Sequence, residues 1–477
     1  MSTFGIVGAG IAGLHLALQL QQEGIEATLY TDRDADEIGE GRLPNTVALQ
    51  GATRARDAAL GINHWDAPEH DIHGLGLRVE GQPLLAFVAT AKQPVLFIDM
   101  RIYVPRLMAD FRARGGTIVV AKTGPEDVAR LAAKHDLMIV AAGRAGATDM
   151  FPRLAERSPY HEPQRRLFAG LFRGIRRPTL LRTGFNIVPG QGEVLEFQYL
   201  APCGLTSGVV IEAIPGGPFD HVTRLRYEDD PAAFNAAVLA ILRDHAPDTY
   251  ARTDPATFGL TRGLDTLAGG FTPTARRGWA PLGGGRMAMA IGDAHITHDP
   301  LTGQGANAAS REAWSLAELL IAHARAGGRF DETFCVRAEQ QLWDDARPVT
   351  EWSNAFLQPP PRHVIGLLVA AAQNPAIADA FADNFNDPKQ QWAVLSSPEG
   401  TAAFIESFSA EPASVSAPAS WVGRRRTSMR PAARIASGFP MAISNAPSIP
   451  PPPSTCAPLS SRGSPPSSRA ASGYPGH

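Results

Sequence analysis

Near the start of the chain, the apolar run Phe4-Gly5-Ile6-Val7 meets three glycines, Gly8, Gly10 and Gly13, spaced G-x-G-x-x-G, and an amphipathic helical pattern opens at once. This arrangement leaves few folds available. Gly8 permits a tight strand-to-helix turn, Gly10 lets a pyrophosphate approach the backbone, and Gly13 lets the helix pack closely on the strand. The free N–H groups and positive end of such a helix face phosphates. The helix is predicted to stop at Gly24, and Ile25 to Tyr30 reads as the next strand, which completes a β-α-β unit. The stretch therefore predicts dinucleotide binding on an α/β, Rossmann-like domain, without choosing between NAD(P) and FAD.

Other stretches belong to the same architecture. Asp32, just after the second strand, is a candidate ribose ligand or a plain surface residue, and Thr31 occupies the position where an acid is usual. Arg42 stands in a loop that leads to an extended segment carrying Asn45 and Val47. Residues 72–97 alternate as strands do, Tyr103 to Arg114 reads as a helix closed by Gly115-Gly116, and Thr117 to Val120 reads as a strand. Leu137 to Ala142 is a buried parallel-type strand ending at Gly143, where such sheets bring backbone to a cofactor. Met287 to Ile291 is a strand ending in Gly292-Asp293, whose carboxylate can accept from ribityl or ribose hydroxyls. Pro300-Leu301-Thr302-Gly303-Gln304-Gly305-Ala306-Asn307 then opens a long helix, a glycine-rich start that offers N–H donors to an anion such as a reduced flavin edge. His295, His298 and Asp299 share one loop but lack a fourth ligand at metal-site spacing, so no metal is expected.

Between these motifs the pattern changes. Leu167 to Phe172, Val194 to Tyr199 and Gly208 to Ala213 read as antiparallel strands with one wet face, followed by a helix from Pro231 to His245. The expected organisation is an FAD- or NAD(P)-type binding domain over 1–155 and 265–345, an inserted antiparallel-sheet substrate domain over 156–264, and a helical C-terminal region over 346–410. Trp343, Trp352 and Trp392 in the helical stretch fit core positions. From residue 411 the composition collapses to Ser, Pro, Ala, Gly and Arg, and 411–477 is expected to be disordered. Seven of the 44 basic residues and one of the 47 acidic residues fall there, leaving 37 against 46 in the body. An acidic body argues against nucleic acid as a partner. No apolar run approaches a membrane span, no export signal is evident, and the three cysteines lack metal spacing or a disulfide framework, so the expected compartment is cytoplasmic.

With both glycine motifs placed, the chain resembles FAD-dependent aromatic monooxygenases of the hydroxybenzoate-hydroxylase fold. It is most similar to the oxygenase component of two-component styrene and indole monooxygenases. The resemblance rests on the N-terminal glycine motif continuing to His15-Leu16; on Tyr30-Thr31-Asp32-Arg33; on Asn45-Thr46-Val47-Ala48; and on Pro163-Gln164-Arg165 with Gly170-Leu171-Phe172. It rests also on Gly292-Asp293, on Asp299-Pro300 with Gly303 to Asn307, on Asp383-Asn384-Phe385-Asn386, and on Gln391-Trp392 with Ser396-Ser397-Pro398-Glu399. It spans about Met1 to Phe408 and leaves out the tail.

The resemblance implies FAD, bound in reduced form, with O2 as co-substrate. It carries FAD contacts onto Gly8, Gly10, Gly13, Asp32, Arg33, Arg42, Arg101, Gly143, Asp293, Pro300, Gly303, Gln304, Gly305 and Asn307. Single-component hydroxylases usually have an Asp-Gly pair where this chain has Ala141-Ala142-Gly143-Arg144, which fits reduced flavin supplied by a separate NADH-dependent flavin reductase. The implied reaction is epoxidation of a styrene-like alkene or of indole through a flavin C4a-(hydro)peroxide, in a pocket that excludes water and orients an apolar ring. The implied pocket residues are Asn45, Val47, Leu49, Ile72, Leu75 and Val95, with Asn45 the candidate catalytic residue. Relatives acting on styrene tend to carry His or Tyr at the positions of Leu49, Ile72 and Leu75, so this pocket is expected to be more apolar. A homodimer is the candidate assembly. The competing readings are a self-sufficient NAD(P)H-dependent aromatic hydroxylase and a non-catalytic flavin-binding protein; a halogenase is disfavoured because no Trp-x-Trp-x-Ile-Pro signature occurs.

Overall fold

The computed structural model describes residues 2–143 and 146–408. The tail at 411–477, expected to be disordered, and Arg144 lie outside the described residues. Two sheets and a helical layer make up the molecule, and the α/β class with a Rossmann-like cofactor domain is as expected.

The first sheet has six strands in the order Trp279–Gly283, Arg286–Ala290, Leu137–Val140, Thr3–Val7, Glu26–Thr31 and Thr117–Val120. All its pairings are parallel except the outer hairpin of Trp279–Gly283 with Arg286–Ala290. The central strands are short and uninterruptedly apolar because both faces are covered. On one face Ile6, Ile139 and Met289 pack with Leu14 and Leu18 of the helix Ile11–Gln22, Tyr103 and Leu107 of Met100–Ala113, and Leu316 and Leu320 of Gly305–Arg325. On the other, Val7, Val140 and Ala288 meet Val128 and Leu131 of Pro125–Leu131. Val7, Val140 and Ala290 lie level across three adjacent strands. The turns at Gly8, Ala141 and Ile291 therefore leave one edge side by side, at the carboxyl ends where open α/β sheets bind ligands.

The helix expected from Tyr103 begins three residues earlier, because the Asp99 carboxylate accepts from the Arg101 N–H at 2.9 Å and caps it there.

The second sheet has nine strands. Its path runs Gly259–Leu260, Arg166–Arg173, Gly204–Ala213, Gly192–Ala201, Thr183–Val188, Ile72–Val79, Ala86–Ile98 and Val47–Leu49, and Thr266–Gly270 also pairs with Arg166–Arg173. It is mostly antiparallel, with Ile72–Val79 parallel to Thr183–Val188. This sheet is wider than the stretch 156–264 assigned to it from sequence: it also takes strands from 47–98 and 266–270. Alternation at 72–97 announces strands but cannot name their neighbours, which lie about a hundred residues away.

The helices from Glu332–Ala355 through Arg362–Gln373, Pro375–Asp383, Pro388–Leu395 and Pro398–Glu406 cover one end of this sheet. Trp352, Leu367, Phe381 and Val394 pack there on Leu77, Phe87 and Ala89. Trp352 is fully buried, while Trp343 and Trp392 are half-buried.

Candidate cofactor and substrate site

Two of the three motif glycines are required by packing. A Cβ on Gly8, whose φ is +113°, would sit 2.3 Å from the Ala141 carbonyl oxygen, and one on Gly13 would sit 1.9 Å from the Gly8 oxygen. Gly10 differs: a Cβ there meets no atom within 4 Å, and the same holds for Gly143 and Gly305. The helices that begin at Ile11 and Gly305 both lack a side-chain cap and any acidic residue in the first turn. Their first N–H groups are left for an external acceptor. Between these helices sits the Gly292-Asp293 turn, where a Cβ on Gly292 (φ +62°) would lie 3.2 Å from Ala12 and 3.6 Å from Ala309. Two uncapped helix starts, three open glycine positions and a carboxylate-bearing turn thus gather at one sheet edge. That donor set fits the pyrophosphate, the ribityl hydroxyls and the anionic edge of a flavin dinucleotide.

The segment after that turn is held from several sides. Asp299 Oδ1 accepts from the Leu301 N–H at 3.1 Å and caps the short turn Pro300–Thr302. Gly303, at φ +64°, adopts the left-handed conformation that glycine favours, and a Cβ built on it would lie 3.9 Å from that of Ala48. The Gln304 side chain is buried and donates to the Phe385 carbonyl at 3.0 Å, which ties the late Asn384-Phe385 run to this loop. Asn307 is a staple. Its Nδ2 donates to Ala48 O (2.8 Å) and Gly303 O (3.0 Å), and its Oδ1 accepts from Gln50 N (3.0 Å) and Thr53 Oγ1 (2.7 Å). Glu312 accepts from the Gly292 N–H at 2.6 Å and bonds His295 Nδ1, while His298 bonds Thr350 Oγ1 at 3.1 Å. Burial pushes His298 down to about 4, so it is neutral. His295, His298 and Asp299 thus turn to three different partners.

A cluster of buried acids joins this loop to the second sheet. Arg165 forms a bidentate pair with Glu193 at 2.8 and 2.9 Å and donates to the Leu357 carbonyl at 3.3 Å. Beside it stand Glu212, with neither carboxyl oxygen hydrogen-bonded, and Asp299, whose Oδ2 is also without a partner. One guanidinium faces three carboxyls. Burial, with Asp299 and Glu193 close by, holds the Glu212 carboxyl well above the usual range, and burial pushes Asp299 up to about 7. Sequence reading singled out Arg165 but missed Glu193 and Glu212, which are strand residues with no motif around them.

The other expected contacts divide into exposed and committed residues. Asp32 and Arg33 are exposed at the sheet edge, 3.8 Å apart. Arg42 is exposed and pairs with Glu228 of the second sheet's side of the molecule. Arg101 is buried between Asp99 and Asp265, at 2.7 Å from each, and also donates to the Gly41 carbonyl at 3.2 Å. Burial alone would lower its pKa, but the two carboxylates raise it, so it stays charged as a strut between the two sheets.

The pocket residues fall into separate groups. Val47 and Leu49 pair with Ile98 and Leu96 and join the core under the first sheet. Ile72 pairs with Val95 and belongs to a cluster with Leu43, Phe197 and Tyr199. Leu75 packs on the cluster of Phe185, Leu301 and Leu357, and so touches the Pro300–Thr302 turn. Asn45 is exposed, and its carbonyl accepts from the Tyr199 hydroxyl at 3.3 Å. Phe97, stacked on Phe197 at 4.0 Å, was not singled out from sequence; the alternation along Ala86–Ile98 was the available signal.

Comparison with known proteins places the chain among its relatives. Residues 143–252 match the family described as "Styrene monooxygenase A putative substrate binding domain". The chain is 38 % identical over 399 residues to a styrene monooxygenase StyA of Pseudomonas fluorescens, covering 83 % of this chain and 95 % of that one. It is 37 % identical over 408 residues to a StyA of a Pseudomonas species, covering 85 % and 97 %. Among solved structures, the flavin-dependent brominase Bmp2 superposes with a TM-score of 0.59 at 13 % identity, over 86 % of this chain and 98 % of that one, a likeness of fold alone. No described helix is long and apolar enough to cross a membrane. With its paired glycine motifs and a relative aligned along nearly its full length, the chain belongs to the StyA family of FAD-dependent monooxygenases.

Proposed function

We propose that this protein is the oxygenase of a two-component system, epoxidising small aromatic alkenes or indole with reduced FAD delivered by a separate NADH-dependent reductase. The observation that carries the reading is the junction of the flavin-facing loop with the substrate-side strand. The Asn307 amide donates to the carbonyls of both Gly303 and Ala48, the latter between Val47 and Leu49, so the two halves of the site are fixed to one another. Reduced FAD, when bound, would supply the two electrons that activate O2, from which the transferred oxygen atom comes. The chain binds its pyrophosphate at the uncapped start of Ile11–Gln22 and its flavin edge at that of Gly305–Arg325, and holds the loop by Asn307 and Gln304. It excludes water with Ile72, Phe97, Phe197 and the aliphatic strands around them. An alkene needs no general base, and the apolar lining meets that requirement. Asn45 is proposed to orient the substrate. Localisation in the cytoplasm and a homodimeric assembly are part of the same proposal.

The test is turnover of styrene or indole with NADH, FAD and a generic flavin reductase. Blue pigment from indole, or styrene oxide, dependent on the reductase supports the reading. Rapid anaerobic bleaching of FAD by NADH without a reductase would replace it with the self-sufficient hydroxylase, and no product with reduced FAD and oxygen would replace it with a flavin carrier.

A further inference from the structure

Inside the core beneath the first sheet runs a line of polar side chains that the reaction does not use. His15, on the glycine-motif helix, is fully buried, with Nδ1 2.9 Å from Ser310 Oγ and Nε2 2.9 Å from Tyr103 Oη. Nε2 also lies 3.2 Å from Asp57 Oδ1. The Tyr103 hydroxyl donates to the Asp57 carboxylate, 3.0 Å from each oxygen. Arg56 Nε donates to Ser310 Oγ at 2.8 Å and its Nη2 to Thr53 Oγ1 at 3.1 Å. Thr53 in turn donates to Asn307 Oδ1 at 2.7 Å.

Donor and acceptor counting gives this line one direction. The Asp57 carboxylate can only accept, so a single ring proton of His15 sits on Nε2 facing Asp57 and Tyr103, and Nδ1 accepts from Ser310, which itself accepts from Arg56. His15 then carries its proton on Nε2 and donates to Tyr103, whose hydroxyl proton goes to Asp57. Burial and the neighbouring Asp57 hold the Tyr103 phenol well above 10, so it remains a donor. The serine, histidine and aspartate together resemble a hydrolytic triad, but Ser310 is fully buried and no substrate reaches it.

The line connects two helices that face different halves of one ligand. Ile11–Gln22 starts at the pyrophosphate side and Gly305–Arg325 at the flavin side; His15 is on the first, and Ser310 and Asn307 are on the second. We propose that His15 is a positioning residue which, through Ser310 and Tyr103, locks the two helix starts at the spacing FAD requires, so that the adenylate and flavin halves are bound as one unit. The inference rests on the FAD-dependent reading above. A ligand that spans both helix starts depends on their spacing, whereas a ligand that touches only one does not.

The test compares His15→Leu with His15→Gln, because glutamine can accept from Ser310 and donate to Tyr103, while leucine fills the space and does neither. Dissociation constants are measured for FAD, ADP and riboflavin by flavin fluorescence and calorimetry, with circular dichroism as the folding control. His15→Leu should weaken FAD by about tenfold or more, the scale of one or two lost buried hydrogen bonds, while ADP and riboflavin change by less than about twofold. His15→Gln should restore FAD affinity. Equal weakening of FAD, ADP and riboflavin, or equal behaviour of the two variants, overturns the proposal. If His15→Leu fails to fold, His15→Gln alone decides: near wild-type FAD affinity supports it, and loss of affinity with a native circular dichroism spectrum overturns it. Wild-type protein that binds no FAD in either redox state overturns the functional reading, and this proposal with it.

Discussion

Replacing Asp299 by Asn removes a buried ionisable carboxyl at the loop that follows the Gly-Asp turn. The amide oxygen can still accept from the Leu301 N–H, so the cap survives. What changes is the titration. Folding raises the Asp299 pKa from 3.8 to about 7, because burial disfavours the carboxylate and Glu193 adds to it, while the Leu301 N–H and Arg165 pull the other way. The folded protein therefore holds a proton that the unfolded chain has released. Stability from this group is full below about pH 4, falls as pH rises, and levels off above about pH 7. Each intervening pH unit costs about 1.4 kcal/mol, so the group lowers stability by about 4 kcal/mol at neutral pH relative to acid. Urea unfolding of both proteins at pH 5, 6, 7 and 8 reads this directly. Asp299→Asn should gain on the wild type by about 1 kcal/mol per unit up to pH 7 and no further. Glu212→Gln should gain on the wild type in the same direction, because that carboxyl is held neutral in the fold and ionises in the unfolded chain as pH rises. A difference between Asp299→Asn and wild type that is flat across the series, or that shrinks as pH rises, refutes the account of a desolvated acid.

The glycines of the first motif should separate by role. Gly13→Ala drives a methyl into the Gly8 carbonyl and should lower the melting temperature of the cofactor-free protein, whereas Gly10→Ala should leave it unchanged and weaken FAD, read by fluorescence titration. Asn307→Ala removes four hydrogen bonds in a buried site and should cost about 2–4 kcal/mol in chemical unfolding. Arg101→Met leaves Asp99 and Asp265 buried without their shared cation and should cost about 3–5 kcal/mol, while Arg42→Ala, at an exposed pair, should cost under about 1 kcal/mol.

Sequence reading reached the parts of the site whose physics is local. Gly8 and Gly13 are glycines because a Cβ would strike neighbouring backbone, and the spacing of the motif already states that requirement. The strand Leu137–Val140 and the turn at Gly292-Asp293 announced themselves by apolar runs ending in glycine, and the sheet order places them together. The parts that escaped depend on partners far along the chain. Nothing near Arg101 reveals that Asp265 will meet it, and nothing near Asn307 reveals that its amide will grip Ala48. Val47 and Leu49 were grouped with Ile72, yet they pack in different clusters, because pleating and sheet order decide which wall a strand residue joins.

The chain crosses between the two sheets more than once, and that has a practical consequence for exchanging specificity among relatives. A chimera that swaps only residues 156–264 would import five strands and leave Val47–Leu49, Ile72–Val79 and Ala86–Ile98 behind, so the foreign half of the wall would have to knit against native partners at the Ile72–Val79 and Thr183–Val188 seam. Recombination that carries 43–98 together with 156–270 keeps every one of those seams from a single parent.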